Sequence, residues 1–256
     1  KGDLDLWNRE YPATPQEAFQ SSGRRLIPPS VMDRIDTVDP VTGGRLDSTP
    51  LGRGEYEQHM GKGGKAVARW RPRQDGRVWR WERPQLDATY VIDADPASGV
   101  GHDFCGAHVL KVSYQMIDVV ASFRGKERPH EFAAILAMMG RHYRSDAASP
   151  VGGKAVAGTP ALIVVERNTF GEHVLYELGE RLRYRRLYRH DDQGKSDNWR
   201  RRHRYGFPTS KTTKMPMLHH LVQVCYDDQV RIRCERTRSE LRGVVFLDEF
   251  DETAGA

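Results

Sequence analysis

The chain has 256 residues, 38% of them hydrophobic, enough for one large domain or one domain with a substantial extension. No stretch approaches the roughly 18 apolar residues of a helical membrane span, and Cys105, Cys225 and Cys234 are too few and too scattered for a disulfide framework or a Cys-x-x-Cys zinc site. Forty Lys and Arg against 35 Asp and Glu leave a net charge of +5, too small to specify a nucleic-acid partner unless it is unevenly distributed.

In chain order, Lys1-Gly2-Asp3 offers neither an initiator Met nor an apolar signal core, so an excised fragment of a cytoplasmic protein is expected. Residues 1–88 are rich in Gly, Pro and charge and read as a linker, with one short strand over Val78–Glu82 broken at Pro84. From Thr89 the pattern tightens. Thr89–Asp95 reads as a buried strand, and Ala107–Ser113 with Gln115–Phe123 as a hairpin. Pro129–Tyr143 reads as a helix, carrying Phe132, Ile135, Leu136 and Met139 at i, i+3, i+4 and i+7. A strand over Ala161–Val165, a helix over Phe170–Leu182 and a short strand over Tyr184–Tyr188 follow. Thr209 ahead of Thr213–Tyr226 predicts a capped helix; Val230–Cys234 reads as a strand and Thr237–Val245 as a last helix. Three strands followed by alternating helices and strands predict one α/β domain over 89–256 with a mixed sheet.

The charge is segregated. Residues 181–205 hold ten basic residues and three acids; residues 62–83 hold eight and two. Trp70, Trp79, Trp81, Trp199 and Tyr205 are interleaved with them. Arginine forks match phosphate oxygens, and the aromatic faces can stack on bases or on the guanidinium planes. Such segregation points to a nucleic-acid partner, against the plainer reading of two solvated faces.

The candidate chemistry lies where strands end in acids. Tyr90-Val91-Ile92 runs into Asp93-Ala94-Asp95, with Asp93 and Asp95 on one face by the strand period of two. Leu162-Ile163-Val164-Val165 runs into Glu166 at the start of a helix. Each acid taken singly is better explained as structural, Asp95 capping a turn and Glu166 pairing with a neighbouring arginine. Two such ends side by side form an oxygen-rich site suited to Mg²⁺ or Mn²⁺ and to phosphodiester hydrolysis. Other motifs fail: a calcium loop at Asp93 has Ala97 and Phe104 where ligands belong, Gly194-Lys195-Ser196 lacks the first glycine of a phosphate loop, and His219-His220 face apart on their helix.

These residues resemble a known family. Asp95-Pro-Ala-Ser-Gly-Val-Gly-His-Asp103, Glu166-Arg-Asn-Thr-Phe-Gly171 and Gly206-Phe-Pro-Thr209-Ser-Lys-Thr-Thr-Lys214, in that order, are similar to the nuclease domain of the large terminase subunit of tailed bacteriophages. Glu10-Tyr-Pro-Ala-Thr-Pro-Gln-Glu-Ala-Phe19 resembles the segment that joins that family's packaging ATPase to the nuclease. The resemblance implies an RNase H-like fold and an endonuclease that uses two Mg²⁺ or Mn²⁺ ions to cut concatemeric viral DNA in the host cytoplasm. It implies Asp95 and Glu166 as metal ligands and Asp103 as an additional acid. Arg200, Arg201, Arg202, Arg204, Lys211 and Lys214 become candidates for contact with double-stranded DNA, and the ATPase domain, small terminase subunit and portal become expected partners. The family's third acid, in a His-Asp-Asp-like motif, has no match in the tail. Truncation before it is the favoured expectation, with Asp248 or Asp251 as the substitute otherwise. The alternative to an enzyme is a DNA-docking module in which the acids are structural.

Overall fold

The computed structural model describes residues 24–60, 66–99, 103–146, 158–191 and 203–246. Its elements are β1 (Arg24–Arg25), α1 (Pro29–Thr37), β2 (Gly52–Met60), β3 (Ala66–Pro72), β4 (Val78–Arg80), β5 (Thr89–Asp95), β6 (Cys105–Val112), β7 (Ile117–Gly125), α2 (Pro129–His142), β8 (Leu162–Val165) and α3 (Thr169–Tyr176). A π turn over Glu177–Arg181 continues α3, and β9 (Arg189–Asp191), β10 (His203–Tyr205), α4 (Lys211–Tyr226), β11 (Val230–Ile232), α5 (Glu235–Arg242) and β12 (Val245–Phe246) follow.

Eight strands form the main sheet in the order β3-β2-β4-β7-β6-β5-β8, with β11 also on β7. β5, β6 and β7 are an antiparallel meander, and β8 returns through α2 to lie parallel to β5. Beyond β8, Leu187 bridges Ile163 in parallel, and the Ile163 and Tyr188 amides donate to the Arg186 and Ile163 carbonyls. Three antiparallel strands followed by two parallel ones, with the first strand central, is the RNase H-like arrangement. The far edge of β7 is shared: β11 takes Ile117–Val119 and β4 takes Val78–Arg80 opposite Ala121–Phe123.

The strand period decides which side chains meet which layer. On β5, Tyr90, Ile92 and Ala94 are buried against α2 and α3 with Phe123, Phe132, Leu136, Val174 and Leu178. A second core, on the other side of the molecule, joins Ile27, Val31, Met32 and Ile35 to Val119, Val224, Cys225, Val230 and Ile232. All three cysteines are buried free thiols, and none of the described helices is long and apolar enough to cross a membrane.

Differences from the sequence reading have local causes. Residues 52–72, expected within a linker, supply two of the eight sheet strands, while the short strand expected over Val78–Glu82 forms as β4 and ends at Arg80. The β2–β3 hairpin carries no apolar alternation because its polarity is matched across the strands: Glu55 opposes Arg71, Glu57 opposes Arg69, and the buried Tyr56 opposes Trp70. The helix expected to reach Leu182 leaves α-geometry after Tyr176 and widens into the π turn, where Leu178 is fully buried. Ser210, not Thr209, caps α4: its hydroxyl accepts from the Thr213 amide and the Thr213 hydroxyl accepts from the Ser210 amide.

Candidate functional site

The parallel pairing of β5 with β8 places Ala94 opposite Val165, and the Glu166 amide donates to the Ala94 carbonyl at 2.8 Å. Asp95 and Glu166 therefore stand side by side where the two strands end. Three features around these strand ends fix this arrangement, two in the turn after β8 and one at Gly206. Asn168 caps α3 by accepting from the Phe170 and Gly171 amides, and its Nδ2 donates to the Pro96 carbonyl at 3.1 Å, tying the two strand ends together. A Cβ on Gly171 would lie 1.9 Å from the Glu166 carbonyl oxygen. Gly206 has φ +85°, and a Cβ there would meet the Val165 carbonyl oxygen at 2.9 Å. That close passage lets the Phe207 amide donate to the Val165 carbonyl and brings Phe207 beside the acids.

The two carboxylates line an open groove of about 820 Å³, whose other wall is Phe207, Thr209 and the first turn of α4 with Thr212, Thr213 and Lys214. Acids on one wall thus face a helix N-terminus and a lysine on the other, an arrangement that can hold a cation and an anion together.

Partial burial first, then the hydrogen bond and charge of Glu166, then the charge of Asp93, push the Asp95 carboxyl up to about 7. Between its unfolded value near 3.8 and this folded value, the native state binds more protons than the unfolded chain. The contribution of Asp95 is thus most favourable in acid and is lost as pH rises through about 7. Without divalent metal, Asp95→Asn is expected to gain melting temperature over the parent at pH 8 and to gain none at pH 4, read by thermal denaturation in chelator. An equal gain at both values would show that Asp95 carries no such strain.

Asp93 faces the same side. Its Oδ2 is 3.1 Å from His108 Nδ1, and His108 Nε2 is 2.9 Å from the Thr237 hydroxyl on α5. Asp93 Oδ1 is buried without a hydrogen-bond partner. Burial lowers the affinity of His108 for its proton, but Asp93 overcomes it and the net shift is upward. The sequence reading placed Asp93 on the face of Asp95 but missed His108. Pairing β5 with β6, which sets Asp93 opposite His108, would have found it.

The other expected site residues are distributed as follows. Asp103 lines an adjoining groove of about 370 Å³ with Asp93, Asp95, His108, Arg124 and Glu240. Lys214 lines the groove of Asp95 and Glu166, Lys211 opens α4, and Arg204 lies in β10. Arg200, Arg201 and Arg202, like Asp248 and Asp251, fall outside the described residues. Among the described residues no cluster of three or more His, Cys, Asp or Glu could hold a metal ion. Three aromatic residues of the basic segments face the chain's own arginines: Trp79 has Arg53 at 4.0 Å and Arg236 at 4.1 Å, Trp70 has Arg80 at 4.3 Å, and Tyr205 has Arg189 at 4.8 Å. Part of the charge of residues 62–83 is likewise met within the fold, by Arg71 on Glu57 and Arg77 on Glu55 and Glu127.

No family model and no curated protein matches this chain. Solved structures of the large terminase nuclease from thermophilic phage G20c are similar to it. The magnesium-bound form is 15% identical, with a TM-score of 0.48 over 86% of this chain and 79% of that one. The zinc-bound form is 15% identical, with a TM-score of 0.47 over 85% and 89%. A third structure is 16% identical, with a TM-score of 0.45 over 83% and 80%.

Proposed function

We propose that this chain is the metal-dependent endonuclease domain of a viral DNA-packaging terminase, cutting concatemeric double-stranded DNA. The observation that carries the reading is the pair Asp95 and Glu166, held side by side at the ends of β5 and β8 with the Asp95 carboxyl pushed up to about 7 by burial and by its neighbour. Two carboxylates forced together in this way fit a hard divalent cation, because oxygen donors suit Mg²⁺ or Mn²⁺ and the cation relieves their repulsion. Bound between them, one or two such ions would supply charge to an attacking water and to the leaving 3′-oxygen.

The chain's own residues do the rest. Asp95 and Glu166 hold the metal, and deprotonation of Asp95 makes metal affinity rise with pH up to about 7. Asp93, anchored through His108 to Thr237, and Asp103 in the adjoining groove add negative charge beside the metal. Lys214 and the N-terminus of α4 face the acids and receive the DNA backbone, with Lys211, Arg204 and the Arg200–Arg202 run extending that contact. Backbone contacts carry no base readout, so sequence preference is low. A third carboxylate comes from the segment after α5, and the ATPase domain, small subunit and portal are the partners.

The test is relaxation and linearisation of supercoiled plasmid with Mn²⁺, with Mg²⁺ and with chelator, by this chain and by a version continuing past Ala256. Cutting by the longer version, with either metal and not with chelator, is expected. A longer version that binds DNA but never cuts with either metal overturns the reading in favour of a docking module.

A further inference from the structure

A separate groove of about 750 Å³ opens between the β2–β3 hairpin and the end of α2. Trp70, Arg80, Arg83, Arg141, His142 and Arg144 line it, and none of its lining residues is acidic. On β4, Val78 and Arg80 point to the α2 side and Trp79 to the other, so the groove lies on the opposite face of the sheet from Asp93 and Asp95. β7 and β6 intervene between β4 and β5, so the two sites are also separated by about 14 Å across the strands.

Arg80 is the unusual member. It is 9% exposed, its Nε is buried without a hydrogen-bond partner, and among the described residues no carboxylate pairs with it. Its cross-strand neighbours are Gly52 and Ala121, which offer it nothing polar in their side chains. The Trp70 ring holds the guanidinium at 4.3 Å but cannot neutralise it. His142 repeats the pattern: its Nε2 is buried without a partner, and burial followed by the charges of Arg80 and Arg144 pushes its pKa down to about 4. A buried arginine without a counter-charge is costly and is normally paired or hydrogen-bonded. Residues 61–65 and 147–157, which follow the hairpin strand and Asp146, contain only lysines as charged residues. No lining residue of the groove supplies Arg80 with a counter-charge, which leaves that role open to a bound anion.

We propose that this groove is an anion site that takes a phosphoryl group, carried by a free nucleotide or by a nucleic-acid backbone. Arg80 is its buried anchor, oriented by Trp70, and the exposed Arg83 and Arg144 close over the ligand from the rim. A phosphoryl group fits better than a lone carboxylate because it presents several acceptor oxygens and up to two charges to a set of guanidinium forks. The site does not depend on Asp95 or Glu166, so it stands or falls apart from the nuclease reading.

The test is calorimetric titration of the protein in chelator with inorganic phosphate, thymidine 5′-monophosphate and a short oligodeoxynucleotide, at constant ionic strength against chloride. Phosphate is expected to bind and to raise the His142 pKa, followed by its imidazole resonances. Arg80→Met is expected to weaken phosphate binding about tenfold, the equivalent of one lost charge-assisted hydrogen bond. Arg144→Gln, at an exposed position, is expected to weaken it severalfold without touching the fold, and Arg236→Gln on the other face to leave it unchanged. Monophosphate binding as tightly as the oligonucleotide identifies a nucleotide site; tighter binding of the oligonucleotide, lost in Arg144→Gln, identifies a backbone site. The proposal is overturned if phosphate moves the His142 resonances no more than chloride does, if Arg236→Gln weakens binding as much as Arg144→Gln, or if only a Glu-rich peptide binds.

Discussion

Asp95→Ala is expected to lower metal-dependent DNA cleavage by the chain continued past Ala256 on the order of 10³-fold or more, equivalent to about 4 kcal/mol of barrier. DNA binding should change less than about twofold, because affinity comes from cations that contact phosphates and Asp95 is an anion among them. The asymmetry follows from the geometry. Asp95 and Glu166 end two adjacent strands in one groove, and removing either leaves the other with only Asp93, which is already engaged with His108. Glu166→Ala should therefore resemble Asp95→Ala. Asp103→Asn should fall well short of either, since Asp103 lines the adjoining groove and not the one that Glu166 occupies. Cleavage of labelled duplex in Mn²⁺, with binding followed in chelator, separates these outcomes. If Asp95→Ala cuts as well as the parent while Asp103→Asn does not, the metal lies in the second groove and the assignment of Glu166 fails.

The part of the fold legible in the sequence is the part whose burial is one-sided or complete. β5 runs over Thr89–Asp95 as expected because its even residues form an unbroken buried row, and α2 follows its apolar spacing to within a residue. The β2–β3 hairpin left little such trace: Tyr56 and Trp70 reach the core, but the glutamates and arginines around them are matched to each other, and that complementarity is visible only when both strands are written opposite one another. α1 was hidden for a related reason. Its Val31, Met32 and Ile35 have the helical spacing, but they pack on β11 and α4, which are distant in sequence. For the site, the acids closing two apolar strands were legible because acids at such positions are conspicuous. That the strands are neighbours is a fact of sheet order, and His108 became visible only with the β5–β6 register. The aromatic residues among the arginines misled in part, since a guanidinium stacked on a ring and an arginine awaiting a base have the same sequence.

The largest effect on stability is expected at Asp118, a residue that played no part in the sequence reading. Its side chain is 1% exposed and lies on β7 opposite Arg231 of β11. Arg231 Nη2 donates to Oδ2 at 2.5 Å, and Arg233 Nη2 donates to both carboxylate oxygens at 2.9 and 2.8 Å. Each arginine is itself mostly buried and has a second acid, Asp39 for Arg231 and Glu82 for Arg233, with Lys111 on Glu82. The carboxylate of Asp118 therefore holds two guanidinium groups that would otherwise lie close together in a low-dielectric setting. Asp118→Ala leaves both with one partner fewer and should cost roughly 3–5 kcal/mol, the usual range for breaking a buried pair. For a domain of this size that is on the order of 10 °C in melting temperature. Asp118→Asn keeps an acceptor but loses the charge and should cost less. Asp228→Ala, which removes the exposed partner of Arg34, should cost under about 1 kcal/mol. Urea unfolding at neutral pH measures all three, and equal losses for Asp118→Ala and Asp228→Ala would show that burial gives this network no special weight. Hydrogen exchange should locate the damage in β11, α5 and α1, because Asp36 and Asp39 tie the region of α1 to Arg238 and Arg231. Since Thr237 of α5 anchors His108 and through it Asp93, loosening α5 should also lower cleavage, by far less than Asp95→Ala, when assayed well below the melting temperature. A network that contacts neither metal nor DNA would then be felt at the candidate site through one helix.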